Sequence, residues 1–213
     1  MFTGIIEDVG TVKSIEKKGL FGRIVVGTAL DLSCIKVGDS IAVDGSCLTV
    51  TELFSGSFAA DLSAETFKVT TLGNMSPGAK VNIEPALTLS RPLGGHMVSG
   101  HVDGVGAIKK KVEKGGSALL EVSCPSALMG QIVKKGSVAV DGISLTVVDL
   151  SPDGFTVAVI PHTLKKTTLP DKREGARVNI ETDVIGKYVE KYFASGKQSI
   201  TEDFLSEHGF FRK

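Results

Sequence analysis

The sequence predicts an all-β protein of two similar antiparallel β-barrels in tandem, each with one short helix, followed by a helical tail. Three observations carry this expectation. The phrase AVDGSCLTV at Ala42–Val50 returns as AVDGISLTV at Ala139–Val147, so the chain is written twice. Glycine is abundant at 25 of 213 residues, only 6% are aromatic and tryptophan is absent, a composition suited to short strands joined by tight turns. Apolar residues alternate over short runs, as half-buried strands require.

The repeat sets the domain organisation. A shift of 97 brings Ile41–Val50 onto Val138–Val147 with seven identities in ten. The same shift brings ETFKVTTLGNMSPGAKVNIE (Glu65–Glu84) onto HTLKKTTLPDKREGARVNIE (His162–Glu181) with eleven in twenty. Nearer the start of each copy, MFTGIIEDVGTV from Met1 matches MVSGHVDGVGAI from Met97 with a shift of 96, so one residue is inserted in a loop between. Solenoid and propeller units run to roughly 20–50 residues, so each copy is a domain. The boundary falls in RPLGGH, Arg91–His96, where proline and two glycines interrupt the pattern. Residues 1–92 form a first barrel, 93–186 a second, and 187–213 a helical oligomerisation segment.

Within the first copy, RIVVGTAL (Arg23–Leu30), SIAV (Ser40–Val43) and SCLTVTEL (Ser46–Leu53) read as strands. Asp44-Gly45 between two of them is a type I′ hairpin signal, because both residues tolerate positive φ, and Asp141-Gly142 repeats it. A helix starts near Ser63, whose hydroxyl can cap free amides, and its counterpart near Pro161. About six short strands per copy would leave long open edges as a flat sheet, and closure removes them. In the tail, Tyr188, Val189, Tyr192 and Phe193 share one helical face, Ser195-Gly196 ends that helix, and Thr201 with Glu202 and Asp203 begins another. The stripe either packs on its own barrels or faces a second copy; since both barrels close on themselves, self-association is the stronger reading.

Composition excludes several functions. With 24 basic and 24 acidic side chains, no net field draws nucleic acid or anionic lipid. No apolar run approaches the roughly 20 residues of a membrane span, and MFTGIIEDVG lacks the basic start and apolar core of a secretory signal. Three cysteines, Cys34, Cys47 and Cys124, leave at least one unpaired, without zinc-knuckle spacing, which fits a reduced cytoplasmic setting. His96 and His101 flank Gly100 with no third ligand nearby, so no metal is expected. The basic run Lys109–Lys114 reads as a solvated strand end.

Several separate motifs then point one way. MFTGI, the DGSCLTV and DGISLTV pair, GGHMVSGHVDG between the copies, and the two closures ending in VNIE resemble the riboflavin synthase alpha-chain family over residues 1 to about 190. The resemblance implies two six-stranded Greek-key β-barrels per chain and a helix through which three chains associate as a homotrimer. It implies an active site where the N-terminal barrel of one chain faces the C-terminal barrel of another, and neither metal nor redox cofactor. Two molecules of 6,7-dimethyl-8-ribityllumazine exchange a four-carbon unit, giving riboflavin and 5-amino-6-(ribitylamino)uracil. A further association with lumazine synthase stays open. By the same resemblance the pockets are lined by Gly4, Ile5 and Ile6; Cys47, Leu48 and Thr49; Asp61, Leu62, Ser63, Ala64, Glu65 and Thr66; and Gly100, His101 and Val102. Lys135, then Ser144, Leu145 and Thr146, and Val159, Ile160, Pro161, His162, Thr163 and Leu164 complete them.

A duplicated fold suits two copies of one substrate, yet dismutation needs a donor and an acceptor, which identical pockets would not distinguish. The mismatches between copies therefore matter. His101 stands where the first copy has Ile5, Asp183 where it has Ala86, and Lys135 opposite Val37 when Gly136 is matched to Gly38. Cys47 meets Ser144, and Glu65 meets His162. The chemistry needs a base at the C7 methyl of one lumazine, hydrogen-bond donors at its carbonyls, and a nucleophile at C7 of the other. His101 is the candidate base or proton relay, since imidazole titrates near neutral pH. The nucleophile is water, a ribityl hydroxyl, Cys47 or Ser144, while Lys135 and Asp183 can bind ribityl hydroxyls or balance charge. Blander readings stand beside these: His101 as a satisfied histidine at a domain boundary, Cys47 as a small core residue. The competing function is a lumazine or flavin carrier of the same fold. A carrier needs one working pocket, and the retention of GISLTV, IPHTLKKTTL and Asp183 in the second copy favours the enzyme. A nucleic-acid-binding module would need a basic stripe and an aromatic platform that are missing.

Overall fold

A computed structural model describes residues 1–194 and residue 206. The helix stop expected at Ser195-Gly196 and the helix start at Thr201 lie outside the described residues. The first copy contains β1 (Asp8–Lys18), β2 (Phe21–Gly27), β3 (Ser40–Val43), β4 (Ser46–Phe54), β5 (Ser57–Leu62), α1 (Ala64–Val69) and β6 (Lys80–Pro85). The second contains β7 (Gly104–Lys114), β8 (Ser117–Ser123), α2 (Ser126–Met129), β9 (Ser137–Val140), β10 (Ile143–Ser151), β11 (Gly154–Val159), α3 (Pro161–Lys166) and β12 (Arg177–Thr182), and α4 (Val184–Ala194) follows. Around the first barrel the strands run β1-β2-β5-β4-β3-β6 and close on β1; the second repeats this as β7-β8-β11-β10-β9-β12. Every pairing is antiparallel, and the jump from β2 to β5 makes each barrel a Greek key. Among the described residues no helix is long and apolar enough to cross a membrane.

Alternation builds both interiors. In β4, Leu48 and Val50 point inward while Cys47 and Thr49 point out, and β10 repeats the pattern with Leu145 and Val147 against Ser144 and Thr146. Register shifts fall at matching places, after Val50 in β4 and after Val147 in β10, where a bulge lets a long strand coil around a narrow barrel. Each interior centres on one phenylalanine, Phe58 or Phe155, packed with Leu72 or Leu169, all fully buried. Ser63 caps α1 by accepting from Thr66 N, and Pro161 sits at the first turn of α3, where no amide partner is needed.

The repeated phrases do their work between the barrels. Asp44 (φ 43°) and Gly45 (φ 78°) form the expected left-handed pair, as do Asp141 (φ 47°) and Gly142 (φ 77°). The two turns pack back to back: a Cβ on Gly45 would lie 2.7 Å from Gly142 N, and one on Gly142 2.7 Å from Gly45 N. Asparagines of the two VNIE closures cross this contact. Asn82 Nδ2 donates to Asp141 O (2.9 Å) and its Oδ1 accepts from Thr168 N (2.8 Å). Asn179 mirrors it, donating to Asp44 O (2.7 Å) and accepting from Thr71 N (2.7 Å). Four otherwise orphaned buried main-chain groups are thereby satisfied.

One pair at this pseudo-twofold is unequal. Asp44 and Asp141 are both fully buried, and each accepts from the main chain of the following closure, at Asn82 and Asn179. Lys172 Nζ lies 2.8 Å from Asp141 Oδ2, whereas the first copy has Met75 at that register. Burial pushes both carboxyls up, and the neighbouring Asp141 raises Asp44 further, to about 8. Lys172, itself mostly buried, sits against Asp141 and opposes the rise there, while Asp44 keeps its proton at neutral pH.

Candidate functional site

Residues Phe2–Ile6 and Val98–Val102 form straps ahead of β1 and β7. They pair at Phe2 and Val98, where Phe2 N donates to Val98 O (2.7 Å) and Val98 N to Phe2 O (3.2 Å). Each strap is anchored in its own barrel by the glutamate of VNIE. Glu84 Oε1 accepts from Thr3 N and Thr3 Oγ1 (both 2.7 Å) and Oε2 from Gly4 N (3.0 Å). Glu181 binds Ser99 N (2.6 Å), Ser99 Oγ (2.8 Å) and Gly100 N (3.0 Å) in the same way. Burial raises both glutamates, and these donated hydrogen bonds oppose it.

Beyond its anchor each strap crosses to the other barrel. Gly4 O accepts from Ser144 N of β10, and Gly100 O accepts from Cys47 N of β4, both at 2.8 Å. Only glycine allows this approach: φ is 75° at Gly4 and 82° at Gly100, and a Cβ there would lie 2.6 Å from Ser144 Cβ or 2.5 Å from Cys47 Cβ. Each pocket therefore joins one barrel to the strap of its sibling. The second-barrel cleft, about 180 Å³, brings together seven of the expected residues: Gly4, Ile5 and Ile6 from the strap, Ser144 from β10, and Ile160, His162 and Thr163 around α3. Ile143, Lys166 and Thr167 complete its lining. Leu145 and Val159 are core residues, Leu164 packs against that core, and Thr146 and Pro161 are exposed.

In the first barrel the Gly100–Val102 strap lies over Cys47, which is half-buried. Leu48 and Leu62 belong to the core, while Thr49, Asp61, Ser63, Ala64 and Glu65 are exposed and Thr66 is half-buried. Ser63 Oγ and Thr66 Oγ1 lie 2.9 Å apart at the start of α1. His101 is exposed at the outer end of its strap, with its amide bonded to Ser99 Oγ (3.1 Å).

His101, Lys135 and Asp183 do not line the Ser144 cleft. Asp183 follows β12, accepts from Ile185 N (3.0 Å), and lines a separate cleft of about 530 Å³ beneath α4 together with Gly136 and Val189. Lys135 is exposed on the turn before β9. Its expected opposition to Val37 is corrected by the backbone. Lys135 N donates to Val147 O as Gly38 N donates to Val50 O, and both residues have positive φ, 68° and 96°. Lys135 thus takes the place of Gly38, and identity of Gly38 with Gly136 misaligned the turn by one residue.

One contact went unanticipated. His96 Nδ1 lies 2.7 Å from Ser144 Oγ. His96 is buried, which holds its imidazole below the ordinary value, with the charge of Asp183 partly opposing. Among the described residues no three ligating side chains converge as a metal centre would require.

Paired barrels that exchange straps make a tandem two-domain fold, and the family model described as "Lumazine binding domain" matches residues 3–86 and 99–183, one match in each barrel. Riboflavin synthases of Actinobacillus pleuropneumoniae and Bacillus subtilis (strain 168) are each 42% identical to this chain over 215 residues, covering 99% of it and 100% of the relative. That of Mycobacterium tuberculosis (strain ATCC 25618 / H37Rv) is 42% identical over 199 residues, covering 92% of this chain and 99% of the relative. The chain belongs to the riboflavin synthase family. Its fold is also that of LumP, solved with riboflavin (TM-score 0.79, 24% identity) and with 6,7-dimethyl-8-(1'-D-ribityl) lumazine (TM-score 0.76, 23% identity), each covering 85% of this chain and 99% of LumP.

Proposed function

We infer that the chain is a transferase that converts two molecules of 6,7-dimethyl-8-ribityllumazine into riboflavin and 5-amino-6-(ribitylamino)uracil. The observation that carries this is the pair of strap contacts, in which each barrel receives the other's strap beside a different nucleophilic side chain, Cys47 or Ser144. Two like pockets serve two like substrates, and their differences let one lumazine give up four carbons while the other accepts them. The atoms of two substrates equal those of the two products, so the transfer needs no external electron acceptor.

Pocket residues hold the rings through strap and β-strand main chain, while α1 and α3 stand over the substrate. His101 serves as base or relay at the C7 methyl, and Cys47 or Ser144 stands nearest for addition at C7. Since Lys135 and Asp183 sit outside the Ser144 cleft of their own chain, they act on a lumazine held by a neighbour. The α4 stripe supports such a neighbour: Tyr188 is 72% exposed, Val189 49% and Phe193 76%, large apolar groups on one helical face. A homotrimer fits this surface, and the three free cysteines fit a reduced cytoplasmic setting. Titrating the chain with the lumazine separates enzyme from carrier: the enzyme takes up two equivalents per chain and forms riboflavin, whereas a carrier binds without conversion.

A further inference from the structure

We propose that His96 is a positioning residue for Ser144, fixing the direction of its hydroxyl in the second-barrel pocket and so making the two pockets chemically unequal. The proposal rests on reading the chain as a riboflavin synthase. His96 belongs to the single linker between the copies and has no duplicate in the first barrel. Among the described residues, Cys47, at the place equivalent to Ser144, receives no side-chain hydrogen bond from that linker.

The linker is built to deliver the ring. His96 N donates to Thr3 O (3.1 Å), which ties it to the strap that completes the same pocket. Gly95 passes so close that a Cβ there would lie 2.1 Å from Thr3 O and 2.9 Å from Ser144 Oγ. His96 is only 8% exposed, and among the described residues its side chain bonds Ser144 Oγ through Nδ1. Whichever ring nitrogen carries the proton, the 2.7 Å contact fixes the rotation of the Ser144 hydroxyl. With the proton on Nδ1 the ring donates to Ser144 Oγ and the hydroxyl hydrogen points away from the imidazole; with the proton on Nε2 the hydroxyl donates to Nδ1 and its oxygen is left to accept from the cleft. Either way Ser144 meets a bound heterocycle in one held orientation, where Cys47 offers only a weak thiol donor.

The test compares His96→Ala, His96→Asn and His96→Leu with Ser144→Ala and with the His96→Ala/Ser144→Ala double variant, reading turnover and lumazine affinity separately. Asparagine sets an amide N–H near the position of Nδ1 but cannot titrate. Turnover of H96A is expected to fall about as far as that of S144A, on the order of 100-fold, with affinity within about threefold. The double variant should be no slower than S144A, and H96N should recover most of the loss. The idea is overturned if H96A keeps wild-type turnover, if the two losses multiply, or if H96N is as slow as H96A. Should H96A fail to fold, H96L fills the ring volume without the hydrogen bond, and equal turnover of H96L and H96N would equally sink it. A wild-type chain that forms no riboflavin would instead overturn the functional reading.

Discussion

Replacing Asn82 with alanine tests whether the closures lock the barrels together. The side chain is buried, and its loss strips Asp141 O and Thr168 N of partners at 2.9 Å and 2.8 Å. An orphaned buried polar group costs about 1–3 kcal/mol, so the pair predicts a loss of roughly 2–6 kcal/mol, a large share of an ordinary stability of about 5–15 kcal/mol. For a chain of this size that corresponds to a melting temperature lower by roughly 5–20 °C. Asn179→Ala strips Asp44 O and Thr71 N and should cost nearly as much, because the contact is pseudo-symmetric. Thermal unfolding followed by circular dichroism, at one fixed protein concentration so that assembly contributes equally, measures both. A loss below about 0.5 kcal/mol for either variant would refute the claim that these amides hold the interface.

Other outcomes follow from the same geometry. Asp44 holds in the folded state, up to about 8, a proton that the unfolded chain releases near 3.8, so this group makes stability fall as pH rises between those values. Asp44→Asn keeps an acceptor for Asn82 N and removes the titration; the drop in melting temperature between pH 5 and pH 8 should shrink, and an unchanged drop would place the buried charge elsewhere. Cys47→Ser and Ser144→Cys should reduce turnover to different extents in steady-state assays, since among the described residues Ser144 has an imidazole at 2.7 Å and Cys47 has none; equal losses would make the asymmetry incidental. Val189→Glu with Phe193→Glu, on the exposed face of α4, should dissociate the assembly in sedimentation and suppress turnover while lumazine binding persists. A fully active monomer would contradict a site shared between chains.

The barrels were legible because their signals are local. Asp-Gly turns, the Ser63 cap, Pro161 and period-two alternation each act within a few residues; the turns and the alternation occur in both copies, while the two helices start differently, one on the Ser63 cap and the other on Pro161. The exchange of straps was not legible, because Gly4 meets Ser144 and Gly100 meets Cys47 only once the barrels have docked. The VNIE phrase showed its repetition without its tasks: the asparagine bridges the barrels and the glutamate anchors a strap. Pocket membership followed largely from resemblance, yet Leu48, Leu62, Leu145 and Val159 turn their side chains into the core, so only their main chain can face a ligand. Lys135 misled because glycine marks the left-handed position in one copy and lysine fills it in the other. Sequence spacing pairs His96 with His101, and nothing in it joins His96 to a serine 48 residues away.

Product analysis tests the account most directly. The purified chain is supplied with 6,7-dimethyl-8-ribityllumazine alone, without added metal or redox cofactor, and both products are quantified. Riboflavin and 5-amino-6-(ribitylamino)uracil should appear in equal amounts, with two lumazines consumed for each riboflavin formed. Binding without conversion, or riboflavin without its uracil partner, would contradict a dismutation carried by two unequal pockets.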